Sequence, residues 1–155
     1  MRLPAPTIQA INDREWRFEF DYRVEFGHWR VCILAGFISD LLSIPRVAWR
    51  LVGHPAQGLA QPGGVVHDAL YCTQLLPRAV ADAYFYDLLR ANGVGRCRAW
   101  LMYRAVRMFG GAAWGNKTAA QIAEARKYVT VRSVSAPQTE PTPPDLPMFP
   151  PVRVA

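Results

Sequence analysis

Residues 65–85 read VVHDALYCTQLLPRAVADAYF, and this stretch decides the architecture. Val65 to Leu75 reads as a helix that must end before Pro77, because proline removes a backbone donor and clashes with the preceding turn. Arg78 to Asn92 reads as the next helix, with Gly93 well placed to end it. The connection Leu76-Pro77 is short, and short connections make antiparallel neighbours. His67 and Tyr71 are four residues apart and share a face, while Asp68 lies about 100° round the helix from His67. Asp82 shares a stripe with Arg78, Phe85 and Leu89. A carboxylate on a largely apolar stripe needs a partner, so Asp82 is expected to face His67 across the helix pair.

Working outward, Gly95 to Phe109 reads as a third helix closed by Gly110-Gly111, and Thr118 to Lys127 as a fourth with Thr118 as its N-cap. Upstream, Trp16 to Phe20 alternates apolar and charged residues, the period of a half-buried strand. Tyr22 to Phe26 continues it, Gly27-His28 offers a turn, and Trp29 to Leu34 returns until Gly36. Residues 37–64 read as loop with a short helix over Arg46 to Val52, since Pro45 suits a first helical position. The expected class is α+β: a small N-terminal antiparallel sheet or hairpin, then three to four helices. Residues 1–132 form one globular domain. Residues 133–155 carry seven of the thirteen prolines and read as an extended tail, mobile when alone in solution.

Composition agrees with one domain: 155 residues, 51% apolar and 19% charged, place the bulk of the chain among globular proteins. The net charge is +6, and all the basic residues except Lys117 and Lys127 are arginine, which suits anionic partners. Cys32, Cys72 and Cys97 form no C-x-x-C pair, which argues against a disulfide scaffold or a cysteine zinc knuckle and fits a reducing compartment. Met1 to Trp16 holds no apolar core of a secretory signal, and no apolar run is long enough to span a membrane.

The polar residues of the helix pair can carry chemistry. A carboxylate beside an imidazole sets its tautomer and raises its basicity, so His67 with Asp82 can activate water, with Tyr71 on the same face. Asp68 can bind calcium or magnesium, helped by carbonyls of Gln61-Pro62-Gly63-Gly64 and by Asp40, whereas zinc calls for more His or Cys. Ser43 is a candidate nucleophile or binding residue, although no G-x-S-x-G elbow accompanies it; Asp40 and Ser43 can equally form a local turn that caps the next helix. The architectural alternative is that Asp82 and His67 simply hold two helices together, or that Arg78 pairs with Asp82 at i,i+4. On the third helix, Arg96, Trp100, Tyr103, Arg104 and Arg107 share a wide stripe, with Leu101, Met102, Ala105, Met108 and Phe109 opposite. Such a stripe grips phosphates or anionic lipid, or is a solvated surface; no nucleic-acid motif accompanies it, so nucleic acid is not an expected partner. His28 and His54 sit in turn-like contexts.

The ordered set Ser39-Asp40-Leu41-Leu42-Ser43-Ile44-Pro45-Arg46, His67-Asp68-Ala69-Leu70-Tyr71, Arg78, Ala81-Asp82-Ala83-Tyr84-Phe85 and Tyr103-Arg104-Ala105-Val106-Arg107 resembles a small family of phage and prophage proteins classed as a domain of unknown function. Leu42 and Ala69 depart from its usual Ala and Tyr without removing a polar group. The resemblance implies phage origin and a shared polar constellation. The helix carrying H-D-x-x-Y followed by a carboxylate on an antiparallel helix is also similar to phospholipases A2. There the histidine is the base, the adjacent aspartate binds calcium and the later aspartate orients the histidine. That similarity implies those roles for His67, Asp68 and Asp82.

Two functions follow as expectations. One is a phage late-gene, tail-associated hydrolase with a divalent cation, acting on an anionic ester or amide of the host envelope, with Arg78, Arg104 and Arg107 as binding residues. The other is a non-enzymatic particle component whose Pro-rich tail docks on other phage structural proteins. Either is made in the host cytoplasm, with incorporation into the virion as the expected destination.

Overall fold

The structure is a computed structural model and describes residues 2–12, 15–39 and 58–134. Asp40, Ser43, His54, the helix expected over Arg46 to Val52 and residues 135–155 of the expected tail lie outside the described residues.

Among the described residues, two antiparallel three-stranded sheets precede and flank four helices, so the class is α+β as the sequence predicts. The first sheet joins β1 (Ile8–Ala10), β2 (Trp16–Phe18) and β5 (Ile38–Ser39) in the order β1-β2-β5. The second joins β3 (Tyr22–Phe26), β4 (Trp29–Ile33) and β6 (Val129–Ser133) in the order β3-β4-β6. The hairpin of β3 and β4 pairs Tyr22 with Ile33 and Phe26 with Trp29. It turns at Gly27, whose φ of +59° lies in the left-handed region open to glycine. Alternation is kept: Tyr22 and Val24 are buried, Arg23 and Glu25 exposed.

The strand expected over Trp16 to Phe20 stops at Phe18. The Phe18 and Glu19 amides donate to the carbonyls of Phe37 and Thr7, and the chain then bends away from the sheet, leaving Phe20 68% exposed. Val129–Ser133, to which the sequence assigns no element and whose last residue falls in the expected tail, pairs along β4 from Ile33↔Val129 to Trp29↔Ser133. A strand that returns from the far end of the chain carries no local turn signal.

The helices are α1 (Gln61–Thr73), α2 (Arg78–Ala91), α3 (Arg96–Gly115) and α4 (Ala119–Ala125). Helix α1 starts at Gln61, preceded by a 3-10 turn over Gly58–Ala60, and Pro62 occupies its first turn. It stops two residues before the expected Leu75, at a left-handed Gln74 whose amide donates to the Leu70 carbonyl. Every residue from Pro62 to Thr73 is buried, which makes α1 the central helix of the fold. Around it pack Phe18, Val24, Val31 and Ile33 from the sheets and Leu88 from α2. Gly93 follows α2 with φ +91°, in the role the sequence assigns it. Thr118 caps α4: the Gln121 amide donates to its hydroxyl at 3.2 Å, and the Thr118 amide donates to the Gln121 side chain at 2.9 Å.

Helix α3 does not end at Gly110-Gly111; it runs through them to Gly115. A Cβ at Gly110 would lie 2.6 Å from the Tyr71 hydroxyl oxygen, and one at Gly111 3.3 Å from an Arg78 nitrogen. The glycine pair is therefore a seat for α1 and α2 rather than a stop signal, and tertiary packing overrides local propensity.

Candidate functional site

The site lies where α1, α2 and α3 meet. His67 and Tyr71, one turn apart on α1, both reach Asp82 on α2. His67 Nε2 lies 2.8 Å from Asp82 Oδ1, and the Tyr71 hydroxyl donates to the same oxygen at 2.7 Å. Arg107 Nη1 on α3 donates to Asp82 Oδ2 at 2.8 Å, and Arg78 Nε lies 3.6 Å from that oxygen. Arg78 Nε also donates to the Tyr71 hydroxyl at 3.2 Å, and its Nη2 to the carbonyls of Val106 and Arg107 at 3.1 and 2.5 Å. One carboxylate thus gathers donors from three helices. Asp82 is 0% exposed and His67 1%, while Arg78 and Arg107 reach solvent with about a third of their side chains or less, 26% and 35%.

These contacts set the charge states. Burial pushes the Asp82 carboxyl up, but the His67 hydrogen bond and charge, with Tyr71 and Arg107, outweigh it and hold the group below the usual carboxylate range. Burial, with Asp82 beside it, pushes the Tyr71 hydroxyl up, so it stays protonated and donates. The hydrogen bond to Asp82 raises the Arg107 guanidinium further above its ordinary value. An ionised carboxylate only accepts, so the proton of the His67–Asp82 bond sits on Nε2, and Nδ1 is the ring nitrogen that does not face Asp82. The Tyr71 and Phe85 rings lie against the imidazole at 4.2 and 4.7 Å between centroids. Trp114 meets Tyr71 edge-on at 5.1 Å.

Asp68 turns to another neighbour. Ser39, at the end of β5, donates to Asp68 Oδ2, and the Cys72 sulfur lies 4.0 Å from the same oxygen. A cavity of about 460 Å³ between β5 and α4 reaches Cys72, and its lining includes neither His67 nor Asp82. The fit to a divalent cation is poor among the described residues. No three His, Cys, Asp or Glu side chains there converge in a way that can hold a metal ion. Gln61 to Gly64, expected as a loop with free carbonyls, is the first turn of α1, so those carbonyls are spent on intrahelical bonds.

Of the residues singled out from sequence, His67, Tyr71, Asp82, Arg78 and Arg107 come together, and Asp68 lies on the adjoining side of α1. Arg104 stands apart, on the exposed side of α3 with its guanidinium carbon 5.9 Å from the Trp100 ring. The expected division of α3 into a basic stripe and an opposite apolar stripe is corrected. Met102 and Ala105 are buried, but Leu101, Met108 and Phe109 face solvent. Ser39 and Gly110 belong to the site's frame without having been assigned a part in it. The Gly110-Gly111 pair, read from sequence as a helix end, is equally the mark of close packing inside a helix.

The sequence pattern of the family described as "Protein of unknown function (DUF1353)" matches residues 16–106, more than half of the chain. The chain belongs to this family. The DUF1353 match runs from the first residue of β2 into α3, and it contains His67, Asp68, Tyr71, Arg78 and Asp82. The chain is also similar to the uncharacterized protein y4jT of Sinorhizobium fredii (strain NBRC 101917 / NGR234), with 37% identity over 109 residues. That alignment covers 69% of this chain and 30% of the relative, so the chain spans less than a third of the length of the curated relative it matches. No solved structure matches it.

Proposed function

We propose that this DUF1353 protein is a hydrolase in which His67, oriented by Asp82, is the general base. The observation that carries the reading is the 2.8 Å contact between His67 Nε2 and an Asp82 carboxylate held ionised by its neighbours. In the step envisaged, Nδ1 takes a proton from water as the water oxygen attacks an ester or amide carbonyl. Collapse of the tetrahedral intermediate breaks the bond to the alcohol or amine, and the leaving group takes that proton back from Nδ1. Asp82 stays a carboxylate throughout and steadies the transient imidazolium. An anionic ester or amide of a cell envelope is the substrate class that fits the net charge of +6. The order of the polar motifs supports a phage or prophage late-gene origin.

A second reading rests on burial. With His67 and Asp82 almost wholly enclosed, the cluster can serve as a tether of three helices in a non-enzymatic particle component. The variant His67→Gln separates the two. Glutamine reaches Asp82 with an amide donor but cannot act as a base near neutral pH. The hydrolase reading expects His67→Gln to keep the wild-type melting temperature and to lose hydrolysis of ester and amide substrates drawn from envelope fractions. Equal, background-level turnover by both proteins across those fractions would leave the tether.

A further inference from the structure

We propose that the outward face of α3 docks on an anionic lipid bilayer, a property separate from the catalytic reading. Cys97, Leu101, Arg104, Met108 and Ala112 recur at steps of three and four residues and are all exposed. Leu101 is 48% exposed, Met108 65% and Phe109 55%, so three large apolar side chains stand on one side of a single helix. Arg98 and Arg104 flank this stripe and are exposed too. The 20 residues of α3 include four arginines and no acidic residue. The opposite face is committed to the protein, with Ala99, Met102, Val106 and Gly110 buried against its neighbours. A helix that shows solvent a stripe of leucine, methionine and phenylalanine between arginines fits the boundary between lipid headgroups and acyl chains. There the apolar side chains leave water while the guanidiniums meet phosphates.

Charge decides between occupants. In a two-fold pairing of this face with a second copy, Arg98 and Arg104 would meet their own kind with no carboxylate on the helix to answer them. Nucleic acid would engage the arginines but would leave Leu101 and Met108 in water, and Phe109 is the one exposed aromatic available for stacking on this stripe. An anionic bilayer satisfies both halves of the surface.

The test uses the full chain and co-sedimentation with vesicles of phosphatidylglycerol and phosphatidylcholine, set against vesicles of phosphatidylcholine alone. The expected result is binding to the anionic vesicles only, largely lost at about 0.5 M salt. Replacing Leu101, Met108 and Phe109 together by serine should weaken binding at least about tenfold. Replacing Arg98 and Arg104 by glutamine should weaken it about fivefold per residue, following the surface attraction of each basic side chain. All five positions are exposed, and an unchanged circular dichroism melt will verify that the variants fold. No vesicle binding overturns the proposal, as does equal binding to neutral vesicles or binding indifferent to the serine variant. A dimer that the serine variant abolishes assigns the face to a second copy instead. Duplex DNA binding that the serine variant leaves intact, with no vesicle binding, assigns it to nucleic acid.

Discussion

Replacing Gly110 by alanine sets two effects against each other, and the structure says which wins. In an exposed helix interior the change stabilises by about 1 kcal/mol, because glycine gives up more backbone freedom. At position 110 the new methyl would stand 2.6 Å from the Tyr71 hydroxyl oxygen and 3.2 and 3.3 Å from two carbons of its ring. Tyr71 cannot swing aside cheaply: it is fully buried and meets Trp114 edge-on. Its hydroxyl donates to Asp82 at 2.7 Å and accepts from Arg78 at 3.2 Å. Overpacking costs about 1–3 kcal/mol. Stretching the bond to a charged acceptor adds about 1.5 kcal/mol. The net expectation is a loss of about 2–3 kcal/mol, read as a lower urea midpoint at unchanged slope. Gly111→Ala is the control. Its methyl would meet Arg78 Nη1 at 3.3 Å, while the bonds of Arg78 to Tyr71 and to the Val106 and Arg107 carbonyls run through Nε and Nη2, so the change should be neutral or stabilising by up to about 1 kcal/mol. Adding Tyr71→Phe to Gly110→Ala removes the closest atom and should recover part of the loss, an interaction a double-mutant cycle isolates. A Gly110→Ala protein as stable as wild type would refute the close approach of α3 to Tyr71.

Three further outcomes follow from the same cluster and its surroundings. Because Asp82 is held below the usual carboxylate range, it contributes stability above about pH 4 that is lost as pH falls through its folded value; Asp82→Asn should lose about 3 kcal/mol at neutral pH and flatten the acid limb of a stability-versus-pH curve. Arg107→Ala should lose about 1–2 kcal/mol, moderated by the 35% exposure of its side chain and by Arg78 nearby, and should move acid unfolding to higher pH, which a pH titration of near-UV circular dichroism will read. A chain ending after Val134 should melt like the full protein, since the Val134 amide, which donates to the His28 carbonyl at 3.0 Å, closes the last pairing of β4 with β6; a fall in melting temperature would mean that residues 135–155 help hold the domain.

What could be read from the sequence is what local chemistry dictates. The helix pair, the β3–β4 hairpin, the Thr118 cap and the meeting of His67 with Asp82 each follow from spacing within one or two elements. What could not be read depends on distant partners. Val129–Ser133 became a strand because β4 offered it an edge. Gly110 stayed helical because Tyr71, 39 positions earlier in the chain, needed room. The faces of α3 were misjudged because a helix with apolar residues on most sides does not say which side the protein covers. Asp68 was given to a cation through carbonyls that α1 turns out to use itself. Ser39, two positions before Leu41 in the quoted motif, took the contact instead.

The part the histidine plays in the fold can be weighed against that of its neighbours. Asp82 already has the Arg107 bond on one oxygen, the Tyr71 bond on the other, and Arg78 within ion-pair distance. Two guanidiniums cover its single charge. His67 does most among these neighbours to hold the carboxylate ionised, and its ring sits against Tyr71 and Phe85. For His67→Phe, the lost hydrogen bond to a charged acceptor costs about 1.5–3 kcal/mol, and the larger ring, pressed toward an Asp82 oxygen that lies 2.8 Å from the present Nε2, adds about 1 kcal/mol or more of overpacking. The expected net loss is about 2–4 kcal/mol, comparable with the about 2–3 kcal/mol for Gly110→Ala beside it. Thermal melts of the two variants side by side provide the comparison. If His67→Phe proves the more damaging, the imidazole is a strut like its neighbours. If it is nearly neutral, a buried imidazole aligned on a carboxylate is surplus to the architecture, and the reason for it lies in what Nδ1 can do.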